Sequence, residues 1–265
     1  MSFFDTIMYR LHHGCATMAY PGGPAPPLPD RHGGALRVDS TRCVEGCTSC
    51  IPVCPTRAIT RSPGQAVALD LGRCIFCSAC VEACPEGAIT HTGDHRLAAR
   101  GRTDLMIGES GEEIRLAAAL DAKLRGMFGR SLRLRQVSAG GCNACEADIN
   151  VLGTIGWDLG RFGIQFVASP RHADGLLVTG PVTANMQLAL EKTYAAVPAP
   201  KIVIAVGACA IAGGPFVDHP EVRNGVASVL PVDLFIAGCP PHPLTILDGL
   251  LRLLGRLDDR TAGAR

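Results

Sequence analysis

The sequence predicts two folded units in one chain: a small, cysteine-rich α+β domain, then a doubly wound α/β domain with a parallel sheet covered on both faces. Three observations predict this. Thirteen cysteines stand in 265 residues, and all but Cys15 fall by spacing into three sets of four. Two blocks, RCVEGCTSCIPVCPTRAIT from Arg42 and RCIFCSACVEACPEGAIT from Arg73, repeat each other, which marks an internal duplication. From Ser131 onward, short apolar runs alternate with helical patterns, the signature of parallel strands joined by crossover helices.

Composition narrows the classes. Hydrophobic residues make up 47% of the chain and charged residues 18%, enough apolar material for a core and too little charge for disorder. A formal net charge of +1 and an aromatic content of 5% argue against a nucleic-acid binder working by phosphate neutralisation or base stacking. The amino terminus, MSFFDTIMYRLHHG, has neither a basic region nor a long apolar run, so no secretory signal is expected. No apolar run approaches the ~20 residues of a membrane span. The expected location is cytoplasmic, where thiols stay reduced and a regular cysteine pattern points to metal, not disulfides.

Residues 1–37 read as an N-terminal arm. Phe3, Phe4, Ile7, Met8 and Leu11 fit one face of a short helix, and the prolines of YPGGPAPPLPDRHGG then force extended chain. The arm has too little apolar surface to fold alone, so it either packs on the rest of the protein or straps a partner. Residues 38–92 hold eight cysteines, and a domain this small draws its folding energy from bound metal. Residues 93–130 are expected to form a linker helix: Ser110 with Glu113 reads as a capping box, and Ile114, Leu116, Leu120, Leu124, Met127 and Phe128 as an apolar stripe ending at Gly129. In residues 131–258, strands are expected at 132–137, 164–168, 175–179, 202–206 and 234–237, with helices near 146–155, 184–196 and 243–254. The ligand site of such a sheet lies at the carboxyl ends of its strands.

The second cysteine block reads C-x2-C-x2-C-x3-C-P through Cys74, Cys77, Cys80, Cys84 and Pro85, the ligand run of bacterial-type [4Fe-4S] ferredoxins, in which the fourth cysteine ligates the other cluster. The pattern assigns Cys43, Cys47, Cys50 and Cys84 to a first cluster, and Cys54, Cys74, Cys77 and Cys80 to a second. The domain is then a ferredoxin-like two-cluster fold. Structural zinc is the competing reading, and two runs of four that each end in CP weigh against it. In the first block Val44, Glu45 and Gly46 separate Cys43 from Cys47, one residue more than the pattern has. Gly46 permits a widened loop, which makes Cys43 the ligand on which completion of that cluster turns.

The other four cysteines follow predicted strands: Cys142 and Cys145 in SAGGCNACEADI, Cys209 in VGACAIAGGPF and Cys239 in AGCPPHP. All fall at one edge of the sheet and together make a third four-thiolate site. Gly140, Gly141, Gly207, Gly213 and Gly214 remove side chains where backbone would pass a cluster. The helix after Cys145 points its positive end at the site, and Pro240, Pro241 and Pro243 stiffen the loop of Cys239.

On the motifs GGCNACEADI, SPRHADGLLVTGPVT, VGACAIAGGPF and PVDLFIAGCPPHP, the α/β half resembles the small electron-transfer subunit of formate hydrogenlyase-type, energy-converting [NiFe] hydrogenases, and is similar to the 20 kDa subunit of complex I. Cys142 and Cys145 keep the C-x2-C of the hydrogenases, where complex I subunits carry adjacent cysteines. Asp148 stands where both relatives usually have Glu, and His242 where complex I typically has Arg. Residues 13–92, with TMAYP and LPDRHGGALRVDSTRC, resemble the two-cluster ferredoxin subunit of the same complexes, so the chain looks like a fusion of two neighbouring subunits. The resemblance implies a flavodoxin-like second domain, three [4Fe-4S] clusters in series, a peripheral place on the cytoplasmic face of the inner membrane, and other subunits of a membrane arm. It also implies a catalytic large partner subunit, hydrogenase-like or complex I 49 kDa-like, with no catalytic centre in this chain. A complex-I-like quinone-reducing module and a non-catalytic redox adaptor are the alternatives.

The remaining polar candidates are weaker. Arg171, His172 and Asp174 follow a strand near the predicted cluster edge of the sheet and either tune a cluster by hydrogen bonding or hold a turn. His219 and His242 stand near cluster loops as proton relays or plain hydrogen-bonding residues. Cys15 reads as a free thiol, and the glycine-rich stretches lack nucleotide-binding spacing.

Overall fold

The computed structural model describes residues 2–64, 67–108 and 113–257. The arm begins with α1 (Phe3–His13), closed at its start by a reciprocal capping box between Ser2 and Asp5. Its apolar face buries nothing: Phe3 is 77% exposed and Leu11 74%. Beyond α1 the chain is pinned to the α/β half. The Thr17 hydroxyl donates to the Ile155 carbonyl, the Met18 N–H to that of Gly156, and Arg161 to the carbonyls of Met18 and Tyr20. The buried Tyr20 hydroxyl donates to Asp248 at 2.9 Å, and Asp248 also accepts from Arg252 Nε at 2.8 Å. Asp248 and Arg252 are almost fully buried, a position a charge holds only when paired.

The cysteine-rich half is built from short elements: β1 (Leu36–Val38), β2 (Ile59–Arg61), β3 (Val67–Asp70), α2 (Ala79–Glu82) and β4 (Ile89–His91). β1 pairs antiparallel with β4, which ties the end of the arm to the end of the second repeat. β2 and β3 form a hairpin, extended on its other edge by β6 (Met106–Ile107). Just before β6, β5 (Ala98–Ala99) joins the other sheet, antiparallel to its last strand. The segment between the halves is thus woven into both.

This differs from the expected linker helix. Among the described residues of this segment α-helix is confined to α3 (Ala122–Phe128), capped by the Asp121 side chain on the Leu124 N–H, with one 3-10 turn at Thr103–Leu105; Ser110 lies outside the described residues. The apolar stripe serves an extended chain: the Ala117 N–H donates to Ala98 and the Leu120 N–H to Leu253, and both side chains enter the core. Backbone partners on β5 and at the end of the last helix outcompete local helix formation.

The α/β half follows with β7 (Leu132–Ser138), α4 (Ala144–Val151), β8 (Ile164–Phe166), β9 (Gly175–Thr179), α5 (Ala184–Ala196), β10 (Ile202–Val206), α6 (Ala208–Ala212), β11 (Leu234–Ile236) and α7 (Pro243–Leu253). The sheet order is β5-β11-β10-β9-β7-β8. The chain therefore reverses direction of growth after β8, leaving a crevice at the carboxyl ends of β7 and β9. β9, β10 and β11 are buried throughout, as strands covered on both faces must be. The antiparallel edge strand β5 makes the sheet mixed, a feature the sequence reading lacks because two alanines give no strand signal.

Tyr20→Phe removes a donor from the buried Asp248 and should cost about 1–3 kcal/mol. A thermal melt of the loaded chain should show a midpoint lower by several degrees, with metal content unchanged.

Candidate metal centres

The cysteines of the two repeats are shared out between two pockets. Cys43, Cys47, Cys50 and Cys84 line one, walled by Val67, Ala88 and Ile89. Cys54, Cys74, Cys77 and Cys80 line another, walled by Leu36, Ile59 and Leu69. Each pocket thus takes one cysteine from the opposite repeat. The local geometry is duplicated as well. The Ala58 N–H donates to Cys54 Sγ and the Ala88 N–H to Cys84 Sγ, both at 3.2 Å. Arg57 and Gly87, the residues just before, share a left-handed backbone with φ of 52° and 58°. That turn folds the chain after each CP back over its own sulfur.

The extra residue of the first block is accommodated in two ways. Gly46 adopts φ of 77° in open space. Arg61 reaches across the widened loop, donating to the carbonyls of Cys47 and Val44 and lying 3.8 Å from Cys43 Sγ. The equivalent residue of the second repeat is His91, bonded to Ser78 at 3.0 Å. Sequence reasoning missed Arg61; its only signal was an arginine at a position where the shorter repeat has histidine.

In the α/β half, Cys142 lies in the loop after β7, Cys145 in the first turn of α4, Cys209 in α6 just after β10, and Cys239 just after β11. All stand at the carboxyl edge of the sheet, and their charges act on one another: Cys209, Cys239 and Cys142 on Cys145, and Cys142 on Cys239. Two glycines make room. A Cβ on Gly207 would lie 2.6 Å from Cys145 Sγ, and one on Gly214 2.8 Å from Cys209 Sγ, and both have positive φ. Glu146, also missed from sequence, is buried beneath this loop and accepts from the Ser138 and Thr179 hydroxyls.

Burial pushes the Cys50 thiol up to about 11 and those of Cys74 and Cys209 up to about 12. It raises Cys80, Cys145 and Cys239 as well, with neighbouring cysteines adding to the effect. Such thiols stay protonated in the free chain and become thiolates when metal binds. The donor set is all sulfur and fits iron–sulfur clusters. Zinc, at ~2.3 Å from each sulfur, would need its four thiolates within about 4 Å of one another. The CP-terminated runs of four, with each repeat giving one cysteine to the other's pocket, match the two-cluster pattern.

The other sequence candidates are scattered. Asp174 stands at the opposite, amino edge of the sheet, where its carboxylate accepts the Arg133 N–H at 2.7 Å, while Arg171 and His172 are exposed. The expected place near the cluster edge is therefore wrong for all three, because the chain crosses beneath the sheet to start β9. His219 is exposed and braces its own turn through Glu221. His242 caps α7 by accepting the Leu244 N–H on Nδ1, and burial, then His32 and His95, hold its imidazole down at about 4. Asp148, whose carboxyl is raised by burial, lines a cleft with His32, His91 and His242. Cys15 is exposed.

Residues 142–253 match the NADH ubiquinone oxidoreductase, 20 Kd subunit family, and residues 42–89 match the 4Fe-4S dicluster domain. A probable membrane-bound hydrogenase subunit of Pyrococcus furiosus is 43% identical over 136 residues, 51% of this chain and 81% of that protein. Formate hydrogenlyase subunit 7 of Escherichia coli is 42% identical over 143 residues, 54% of this chain and 56% of that protein. An NADH-quinone oxidoreductase subunit of Heliobacterium modesticaldum is 40% identical over 120 residues, 45% of this chain and 69% of that protein. The chain belongs to the 20 kDa subunit family of NADH ubiquinone oxidoreductase, with a 4Fe-4S dicluster domain ahead of the family's own segment. [4Fe-4S] clusters are accordingly its cofactors.

Gly207→Ala forces a methyl group onto Cys145 Sγ at a strained φ. It should abolish iron binding by the α/β half and leave that of residues 42–89 intact, read as iron per chain and by EPR of the reduced protein.

Proposed function

We propose that this chain is the electron-transfer subunit of a membrane-associated, hydrogenase-like oxidoreductase, carrying three [4Fe-4S] clusters in line and no catalytic centre of its own. Cys43, Cys47, Cys50 and Cys84 hold the outer cluster, Cys54, Cys74, Cys77 and Cys80 the middle one, and Cys142, Cys145, Cys209 and Cys239 the one nearest the partner. The observation that carries this reading is the continuity of the sulfurs. The two repeats exchange one cysteine each between neighbouring pockets, and a thiolate at Cys77 would raise the thiol of Cys239, so the third set neighbours the second.

When bound, the clusters supply one-electron transfer at thiolate-ligated iron. The chain's own residues position them. Backbone N–H groups of Ala58, Phe76 and Ala88 donate to the sulfurs of Cys54, Cys74 and Cys84. Apolar side chains, Val67 and Ile89 in one set and Leu36 and Leu69 in the other, line the first two sets. We read the two halves as a fused ferredoxin-like subunit and flavodoxin-like α/β subunit, divided within the woven segment. The C-x2-C of Cys142 and Cys145 favours the hydrogenase branch over a quinone-reducing one. The partner is a catalytic large subunit, and the chain lies peripherally on the cytoplasmic face of the inner membrane. No helix among the described residues is long and apolar enough to cross a membrane, so contact with the membrane arm falls to surfaces such as the bare apolar face of α1.

Anaerobic iron and sulfide analysis should give about twelve irons per chain, from three clusters of four; about eight would overturn the third cluster. Cys239→Ser should remove one reduced-state EPR signal of three. Phe4→Asp with Leu11→Asp should shift the assembled complex from the membrane to the soluble fraction of expressing cells without changing iron content.

A further inference from the structure

Glu146 is a buried acid placed where a charge is expensive. It follows Cys145 in the first turn of α4 and is 5% exposed. One oxygen, Oε1, accepts from the Ser138 hydroxyl and the Thr179 hydroxyl, each at 2.6 Å. Those hydroxyls are matched by the fold. Ser138 ends β7, Thr179 ends β9, and the two residues are direct partners in the parallel register. The adjoining backbone is shaped to the same point: a Cβ on Gly141 would lie 3.1 Å from Gly180 Cα and 3.7 Å from Oε1.

Hydroxyl-to-oxygen distances near 2.6 Å are those of a hydroxyl donating to an ionised carboxylate. The start of α4 adds the partial positive charge of a helix N-terminus. These groups offset the cost of keeping the acid out of water, whereas a neutral side chain of similar size would incur no such cost. Glu146 directly follows Cys145 in the first turn of α4, near enough that its negative charge raises the thiols of both Cys145 and Cys209.

We infer that Glu146 is a positioning residue that sets the reduction potential of the α/β cluster, acting as a fixed negative charge held in place by Ser138 and Thr179. This rests on the reading of Cys142, Cys145, Cys209 and Cys239 as one cluster site. The step concerned is the addition of one electron to that cluster from its neighbour in the chain; no covalent bond forms or breaks. Glu146 opposes the added negative charge and so holds the potential low, which suits delivery of electrons to a strongly reducing reaction on the partner.

The test is an EPR-monitored redox titration of the full, anaerobically loaded chain. Glu146→Gln keeps an amide oxygen for both hydroxyls and removes only the charge. It should shift one signal, the one lost in Cys239→Ser, to higher potential, with iron content and the other signals unmoved. An unmoved potential, or an equal shift of every signal, overturns the inference and leaves Glu146 as a tie between α4 and the sheet. If the Gln variant loses the signal, Thr179→Val provides the reading: loss of one screening hydroxyl should lower the same potential, and no change overturns the inference. Absence of the third signal in the unaltered chain would instead overturn the cluster reading on which it rests.

Discussion

The arrangement depends on how the small half is held against the α/β half, close enough for the charge of Cys77 to act on Cys239, and neither half fixes that placement alone. The woven segment does. β5 pairs with Phe235 and Ile236, just ahead of Cys239, and β6 pairs with Leu69 and Asp70, just ahead of Cys74. Between them Arg102 grips Asp70, whose carboxylate also accepts the N–H groups of Gly72 and Arg73 at the start of the ligand loop. At Gly72 the halves come close together: a Cβ there would lie 2.7 Å from Arg102 and 2.8 Å from Ile211 of α6, the helix of Cys209. Two strand pairings, one ion pair and one glycine thus set the spacing of the two cysteine loops.

The arm closes the same joint from the other side. Its middle is bonded to the α/β half through Thr17, Met18 and Tyr20, and its end becomes β1 against β4 of the small half. The buried Tyr20–Asp248–Arg252 group has a cost in desolvation that an apolar contact would not. Its directional bonds fix where the arm crosses, which apolar packing leaves free.

The α/β core and the sharing of the repeat cysteines between two pockets were legible in sequence because each has a strong local signal: continuous apolar runs for strands buried on both faces, and CP-terminated spacing for the cysteine loops. The woven segment was not. Leu116, Ala117 and Leu120 have helical spacing, yet the backbone partners of Ala117 and Leu120 are Ala98 and Leu253, far away in the chain and invisible to periodicity. SPRHAD was misplaced for a related reason. It follows β8 in sequence, but the parallel connection must return to the amino edge before β9 begins, and Asp174 is already there, bonded to Arg133. Glu146 became meaningful only once β7 and β9 were seen to be neighbours, because its cradle comes from the two strand ends together.

The duplication shows how a departure from a ligand pattern is absorbed. Both repeats keep the left-handed turn and the N–H bond onto the last cysteine, so the CP end is invariant and cannot take up an inserted residue. The insertion falls instead between Cys43 and Cys47, where Gly46 meets nothing within 4 Å. A longer loop has more conformations to lose, and the arginine that replaces histidine at position 61 supplies the missing restraint by binding two of the loop's carbonyls. The same guanidinium lies 3.8 Å from Cys43 Sγ, so the group that restrains the loop also faces the cysteine whose place in the pattern was weakest.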